Sequence, residues 1–94
     1  MDSPRPALPE LFHAIGDAGS ANARRRFVEL GLEGRVRLRN VFYDEVVADL
    51  NARGGSNERM PAWWDGAVLV EGEAAVLAAL EQLASTPPPA SPSE

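Results

Sequence analysis

Apolar residues recur along the chain in short runs separated by Gly, Pro, Ser and Asp, and the spacing within each run distinguishes strands from helices. A continuous apolar run at 11–15 ends at Gly16 and predicts a buried strand. The segment 35–40 alternates instead, with Val36 and Leu38 on one side and three arginines on the other. We expect an edge strand with one face in water, because charges on an edge also discourage pairing with other chains.

A hairpin is predicted further along the chain. The Asp-Gly pair at 65–66 is a strong turn signal between a short strand at 62–64 and a return strand at 67–70. Trp63 and Trp64 are adjacent on the first of these strands, so they face opposite sides of the sheet. We expect one in the core, and the other against a helix or on an exposed binding face.

Three segments have the periodicity of amphipathic helices. The first is expected at 21–30. Ser20 has the right chemistry for its N-cap, and Gly31 suits a left-handed stop. Its apolar stripe consists of Ala23, Phe27 and Leu30.

The second helix is expected at 44–53, with Asp44 as its cap and the glycine pair at 54–55 at its end. The third is expected at 72–84, where Glu73 complements the helix dipole. The stripe of the second helix consists of Phe42, Tyr43, Val46, Val47 and Leu50, and that of the third of Val76, Leu77, Leu80, Leu83 and Ala84.

These elements follow one another in the order β-α-β-α-β-β-α. The sequence therefore predicts an α/β domain with a four-stranded mixed sheet and flanking helices. The first two strands should be parallel through a right-handed crossover, and the last two antiparallel. The proline-rich ends at 1–9 and 85–94 bury too little surface to offset the entropy of ordering. We expect them to be disordered tails around a domain at 10–84.

The composition narrows the classes of function. Fourteen acidic residues against nine basic ones give a net charge of −5, which argues against a nucleic-acid-binding protein. There is no cysteine, so the chain cannot perform thiol–disulfide exchange by itself. The first ten residues lack the apolar region of a signal peptide, and no apolar run approaches the roughly 20 residues that span a bilayer. We expect a cytoplasmic protein without a membrane partner.

The element order, with a proline just before the third strand, resembles the glutaredoxin and thioredoxin fold and the N-terminal domain of glutathione transferases. The resemblance covers about 10–83. In these families a CPYC dithiol begins the first helix, and the matching positions here hold Ser20 and Ala23 in place of both sulfurs. Met60-Pro61 matches the family's cis-proline, whose preceding residue offers backbone hydrogen bonds to glutathione or an extended peptide.

A further match is the segment 61–71, which resembles the transferase pattern VPALVDG…VLTES. In transferases the Glu-Ser pair holds the γ-glutamyl end of glutathione. Glu71 occupies the Glu position, but Gly72 replaces the Ser, and the Gly-Gly pair of glutaredoxins reads Glu-Gly. The resemblance therefore implies a redox-inactive, glutaredoxin-like domain with a degenerate ligand pocket. Its residues would be Ser20, Ala23, Met60, Pro61, Glu71 and Gly72.

Each candidate also has a purely structural interpretation. The Ser20 hydroxyl and nearby amides suit an anion or the thiolate of a ligand, but also a simple helix cap. A cis-proline at Pro61 can persist as a structural corner after activity is lost. Glu71 suits the ammonium group of a glutathione-like ligand, or the dipole of the last helix.

Other signals are weaker. The turn at 16–20 lacks the Gly-Lys-Ser/Thr end of a phosphate loop, and Asp17 would repel phosphate. His13 has no companion at metal-ligand spacing, so we expect no metal site. The arginines at 24–26 and on the edge strand either form a basic face for an acidic partner or are simply solvated.

Two functional hypotheses follow. The first is a redox-inactive binding module for a protein partner or a small thiol ligand, with no catalytic residue. The second is a transferase-type enzyme in which Ser20 orients the thiol of bound glutathione. No cofactor is expected other than glutathione, and the protein should be a monomer or a weak dimer. A third explanation of the missing dithiol is that Ser20 or Ala23 is an engineered substitution of a native cysteine.

Overall fold

The first strand lies inside a four-stranded sheet in the computed structural model, which describes residues 8–86. β1 (Glu10–His13) is parallel to β2 (Arg37–Asn40) and antiparallel to β3 (Ala62–Trp64), and β4 (Leu69–Glu71) is antiparallel to β3. The strand order is β2-β1-β3-β4. The predicted α/β class, the parallel first pair and the hairpin are confirmed. The parts of the predicted tails at 1–7 and 87–94 lie outside the described residues.

Helices cover both faces of this sheet. α1 (Ala18–Glu29) and α3 (Glu73–Ser85) share one face, and α2 (Asp44–Ala52) lies on the other. Each face has its own apolar cluster. The cluster under α1 and α3 contains Leu11, Ala23, Phe27, Leu32, Val36, Trp63, Val76 and Leu80, and the cluster under α2 contains Phe12, Val46, Leu50 and Ala62. No helix of the described chain is long and apolar enough to cross a bilayer.

The two tryptophans illustrate the alternation that places side chains on both faces. Trp63 is buried in the cluster under α1 and α3, whereas Trp64 packs against the cluster under α2. The expectation that they face opposite sides is confirmed. Of the two positions predicted for the second tryptophan, against a helix or on an exposed binding face, Trp64 takes the first, because it packs on the face that α2 covers.

The C-terminus of α1 is closed as the sequence predicts. Gly31 has φ +68, in the left-handed region that favours glycine. Its N–H donates to the carbonyl oxygen of Val28 (3.0 Å), and the N–H of Leu32 donates to that of Phe27 (3.1 Å). This is the hydrogen-bond pattern of a Schellman motif, and it returns the chain to the core at Leu32.

The predicted wet face of the edge strand is wrong. The alternation itself is present, and β2 does lie at an edge of the sheet. However, Arg39 is only 6% exposed, whereas Leu38 on the opposite face is 42% exposed. The physical reason is that α2 covers this face at Arg39, which pairs with Asp49 of that helix, so a charge that the sequence places in water is enclosed. Arg37 on the same face stays exposed, as predicted.

Arg39 belongs to a buried ionic cluster, the Glu10 network, which joins β1, β2 and α2. The Glu10 carboxylate accepts hydrogen bonds from Arg39 and, at 2.6 Å, from Arg53. Arg39 also donates to Asp49 at 2.6 Å, and the Arg53 guanidinium lies 4.9 Å from the ring centroid of Trp64. Burial alone would raise the pKa of the Glu10 carboxyl, but the two arginines outweigh it and hold that pKa below its usual range.

Two other boundaries differ from the prediction for local reasons. The return strand begins at Leu69 rather than at 67, because the Asp65 carboxylate accepts hydrogen bonds from the N–H groups of Ala67 and Val68, both at 2.8 Å. These bonds keep residues 67 and 68 in the turn. The predicted cap by Asp44 is wrong, because the N-cap of α2 is Tyr43, which makes no side-chain capping bond.

Candidate functional site

The candidate site lies at the edge of the sheet where β1 and β2 end. Because these strands are parallel and in register from Glu10 to His13, the segments that follow them, 14–17 and 41–43, leave the sheet side by side. β3 is antiparallel to β1 and pairs Ala62 with Phe12, so Met60 and Pro61 precede it at the same edge. We call the segments 14–17 and 41–43 and the pair Met60-Pro61 the carboxyl edge.

Ser20 lies beside this edge but points inward. It is the third residue of α1 and is fully buried. Its hydroxyl oxygen accepts a hydrogen bond from the N–H of Ala14 at 3.0 Å, and its own N–H donates to the Asp17 carboxylate at 2.7 Å. The predicted N-cap at Ser20 is therefore wrong, because Asp17 caps the helix. The Ser20 hydroxyl fastens the turn at 14–17 to α1.

Ala23, at the second predicted sulfur position, is also enclosed. It is 0% exposed and belongs to the apolar cluster between α1, α3 and the sheet. The residue of α1 that faces Pro61 is Gly19 instead: a Cβ placed there would lie 3.2 Å from Pro61 Cδ and 3.2 Å from a carboxylate oxygen of Glu73. The contact with Pro61 thus lies near the start of α1, one residue before the stretch 20–23 that was matched to the dithiol.

The sequence does contain a pattern that indicates the earlier start of α1 and the inward direction of Ser20. Asp17 is as good a capping residue as Ser20, and moving the helix start to Ala18 puts Ser20, Ala23 and Phe27 on one face at helical spacing. All three are buried. A serine on an otherwise apolar helical face indicates an inward hydroxyl with a local backbone partner.

Met60 and Pro61 are joined by a cis peptide bond, the form that the family resemblance implies. Pro61 is fully buried, and its carbonyl oxygen accepts a hydrogen bond from the N–H of Gly72 at 2.9 Å. Met60 is half-buried against the cluster under α2. Among residues 8–86, no hydrogen bond engages the N–H or the carbonyl oxygen of Met60. These two groups are available to an extended chain laid along the edge.

Glu71 is committed to the protein's own loop. Its carboxylate accepts a hydrogen bond from the N–H of Ser56 at 3.1 Å and lies 3.5 Å from the guanidinium of Arg59. Both partners belong to the connection between α2 and β3. Gly72 is the N-cap of α3, with φ +102, so Glu71 precedes the helix that it was expected to begin.

The carboxylate that faces α1 belongs to Glu73, which is not among the six residues of the predicted pocket. Glu73 is exposed in the first turn of α3, as its predicted dipole role requires, and accepts a hydrogen bond from the Asn22 amide at 2.9 Å. It also lies against the backbone of Gly19. The spacing of residues along β4 and α3 could not show this, because the contact depends on how α3 packs against α1.

Large apolar side chains stand in solvent along the carboxyl edge. Ile15 is 70% exposed, Phe42 79% and Tyr43 52%, and the rings of Phe42 and Tyr43 pack edge to face with centroids 5.4 Å apart. The assignment of these two aromatic residues to the apolar stripe of α2 is wrong, because both precede the helix and are exposed. An Asn40 carboxamide oxygen accepts from the N–H of Phe42 at 2.9 Å and shapes the turn that presents them.

His13 supports this edge from inside the fold. It is buried, and Arg24 lies 3.2 Å from its Nδ1 and also donates to the Ala14 carbonyl oxygen at 3.3 Å. Arginine can only donate, so Nδ1 is the acceptor and the ring proton of the neutral imidazole sits on Nε2. Burial, and after it the positive charge of Arg24, lowers the pKa of His13. Within residues 8–86 no three His, Cys, Asp or Glu side chains are grouped to hold a metal.

The arginines do not form one basic face. Arg39 is buried in the Glu10 network, and Arg24 contacts His13. Arg26 pairs with Glu29 and Glu81, and Arg35 donates to carbonyl oxygens at the end of α3. Tertiary packing thus distributes the arginines over several surfaces, which argues against a binding site for an acidic partner built from them.

A groove of about 640 Å³ lies at the opposite end of the sheet, beside α3 and β4. None of the predicted site residues lines it. Its one charged lining residue is Asp65, whose carboxylate already holds the hairpin turn. The groove therefore offers no arrangement of groups for chemistry.

Comparison with protein-family models, with curated proteins and with solved structures gave no match to this chain. The functional assignment consequently rests on the geometry of the carboxyl edge.

Proposed function

We propose that this chain is a thioredoxin-like domain without redox activity that binds an extended segment of a protein partner at the carboxyl edge. Three features support the fold: the element order, the mixed sheet with helices on both faces, and the cis peptide bond before β3. The absence of cysteine supports the loss of thiol–disulfide chemistry.

One observation carries the binding proposal: Ile15, Phe42 and Tyr43 stand in solvent at the same edge of the sheet as the unengaged main chain of Met60. A strand-like ligand needs both features, since main-chain hydrogen bonds supply affinity and apolar contacts supply specificity. Aromatic residues are also enriched where binding energy concentrates. In an isolated domain these side chains gain nothing from their exposure.

The transferase hypothesis finds no such support. It needs the Ser20 hydroxyl at the surface, within reach of a bound thiol. That hydroxyl is fully buried and already accepts the N–H of Ala14. A small thiol ligand at Met60 remains a separate outcome of the tests below.

The test is selection of random decapeptides on the immobilised domain, followed by affinity measurements on synthetic copies of the selected sequences. We expect the variant Phe42→Ser/Tyr43→Ser to lose this binding. The control Val28→Ser removes another exposed apolar side chain (58% exposed), on α1, and should bind as the parent does. Selected peptides that bind the double variant unchanged would refute the proposed site.

A titration with reduced glutathione, followed by amide chemical shifts, separates the two ligand classes. Saturable shifts at Gly19, Met60 and Glu73 would identify a small thiol ligand and overturn the choice of a protein partner. Unchanged spectra at millimolar glutathione would support that choice.

A further inference from the structure

Carboxylates without an ion-pair partner concentrate at the carboxyl edge. In the described chain the salt bridges engage five acidic residues: Glu10, Glu29, Asp49, Glu71 and Glu81. Four of the acidic residues outside these pairs flank the carboxyl edge. They are Asp17, Asp44, Glu45 and Glu73.

Three of these carboxylates, those of Asp17, Asp44 and Glu45, are close in the chain to the exposed apolar side chains. Asp44 and Glu45 are exposed and directly follow Tyr43 in the first turn of α2. Asp17 follows the turn that carries Ile15, and Glu73 lies against the first turn of α1. Negative charge therefore adjoins both the Phe42–Tyr43 pair and Ile15.

Helix dipoles account for part of this arrangement, because acidic residues stabilise helix N-termini. Helix dipoles do not require an excess of acidic residues, because neutral Asn or Ser caps a helix as well as Asp does. The nearby Arg24 does not neutralise the edge, because its guanidinium is turned inward to His13 and the Ala14 carbonyl oxygen. Arg59, which precedes Met60, lies 3.5 Å from the Glu71 carboxylate, and that pair adds no net charge. A ligand on this surface thus meets a net negative field.

We infer that the ligand of the carboxyl edge is an extended protein segment in which Lys or Arg side chains flank apolar ones, an inference that rests on the proposed function. Its apolar side chains would cover Ile15 and the Phe42–Tyr43 pair. Its main chain would pair with Met60, and its basic side chains would meet the carboxylates beside them. Complementary charge of this kind selects partners and speeds encounter. Free glutathione, which carries a net negative charge, fits the same field poorly.

The experiment uses three fluorescent decapeptides that share the same apolar residues and differ only at the intervening positions, which are all Lys, all Ser or all Glu. Anisotropy titrations should rank the affinities Lys, Ser, Glu, with the Lys peptide about tenfold tighter than the Ser peptide at low salt. The preference should disappear at about 1 M salt, where the Debye length is about 3 Å.

Two charge variants locate the effect. Asp44→Asn/Glu45→Gln should reduce the preference for the Lys peptide several-fold. The matched control Glu29→Gln/Glu33→Gln removes two exposed carboxylates at the far end of α1 and should leave it unchanged. Equal loss in both double variants would overturn the inference, because it would reflect net charge alone.

The outcomes separate this inference from the proposed function. If the Lys and Ser peptides bind equally and both need Phe42 and Tyr43, the binding site stands and the basic partner is refuted. If no peptide depends on Phe42 and Tyr43, the binding site itself is refuted, and the charge inference with it.

Discussion

Replacing Glu10 by Gln removes one negative charge from a buried network and changes the shape of the side chain very little. Glu10 is 4% exposed and accepts hydrogen bonds from both Arg39 and Arg53. In the variant the buried Arg39 and the partly exposed Arg53 are left with one carboxylate nearby, that of Asp49 at the surface. The loss therefore falls mainly on Arg39, the buried cation of the pair.

The expected cost is large for a domain of this size. Removing one partner from a buried ion pair typically costs about 3–5 kcal/mol. We expect the lower value, about 3 kcal/mol, because the Gln amide oxygen can still accept one hydrogen bond. The free energy of unfolding of a small domain is about 5–15 kcal/mol in total, so the variant should remain folded but be much less stable than the parent. With a urea slope of about 1 kcal/mol per M, the midpoint should fall by roughly 3 M.

The assay is urea unfolding followed by tryptophan fluorescence, first at neutral pH and then at decreasing pH. The pKa of Glu10 is lowered on folding from its ordinary value of 4.5, so its stabilisation is present above pH 4.5 and is lost as the pH falls through the folded-state pKa. The gap between the parent and Glu10→Gln should therefore close in acid.

The control is Glu29→Gln, which removes a carboxylate from an exposed pair with Arg26 and should leave the unfolding midpoint unchanged. A Glu10→Gln variant as stable as this control would show that the Glu10 network does not stabilise the fold. A gap between the parent and Glu10→Gln that is the same in acid as at neutral pH would contradict the lowered pKa of Glu10.

Three further predictions concern the segment from His13 to Ser20. Asp17→Ala removes the cap of α1 and should lower the free energy of unfolding by about 1 kcal/mol, measured by urea unfolding; an unchanged midpoint would contradict the capping role. Ser20→Ala leaves the N–H of Ala14 without its acceptor and should cost about 1–3 kcal/mol while peptide affinity stays the same; lost affinity at unchanged stability would place Ser20 in the ligand site. Because the pKa of His13 is lowered from 6.5, its stabilisation is present above pH 6.5 and lost as the pH falls through the folded-state pKa. His13→Gln, which cannot titrate, should not show this loss of stability on acidification, and an identical pH profile in both proteins would contradict the prediction.

Much of the fold follows from local patterns in the chain. The alternation in the short strands, the Asp-Gly turn at 65–66 and the glycine stop at Gly31 each depend on nearest neighbours, and each appears as predicted. The Met60-Pro61 pair was located by its family resemblance, and the structure places it at the carboxyl edge beside β1. The rest of the candidate site was not predictable in this way.

Ser20 and Glu71 show why. Both have the residue type that ligand binding needs, but Ser20 turns inward to Ala14 and Glu71 turns to the loop at 56–59. Gly19, which faces Pro61, lies where Ser20 was expected. Glu73, which faces α1, lies where Glu71 was expected. A side chain's partner depends on which elements pack together, and sequence spacing carries no information about that.

The sequence by itself determined the order and type of the elements, the parallel first pair and the hairpin, because these depend on residue type and short-range spacing. The tertiary structure alone decided which polar groups are enclosed and which apolar groups are exposed. Packing α2 against the sheet encloses Arg39 beside Glu10, while the same packing leaves Phe42 and Tyr43, just before that helix, in solvent. Burial is a property of neighbours from distant parts of the chain, so it is settled only when the layers pack.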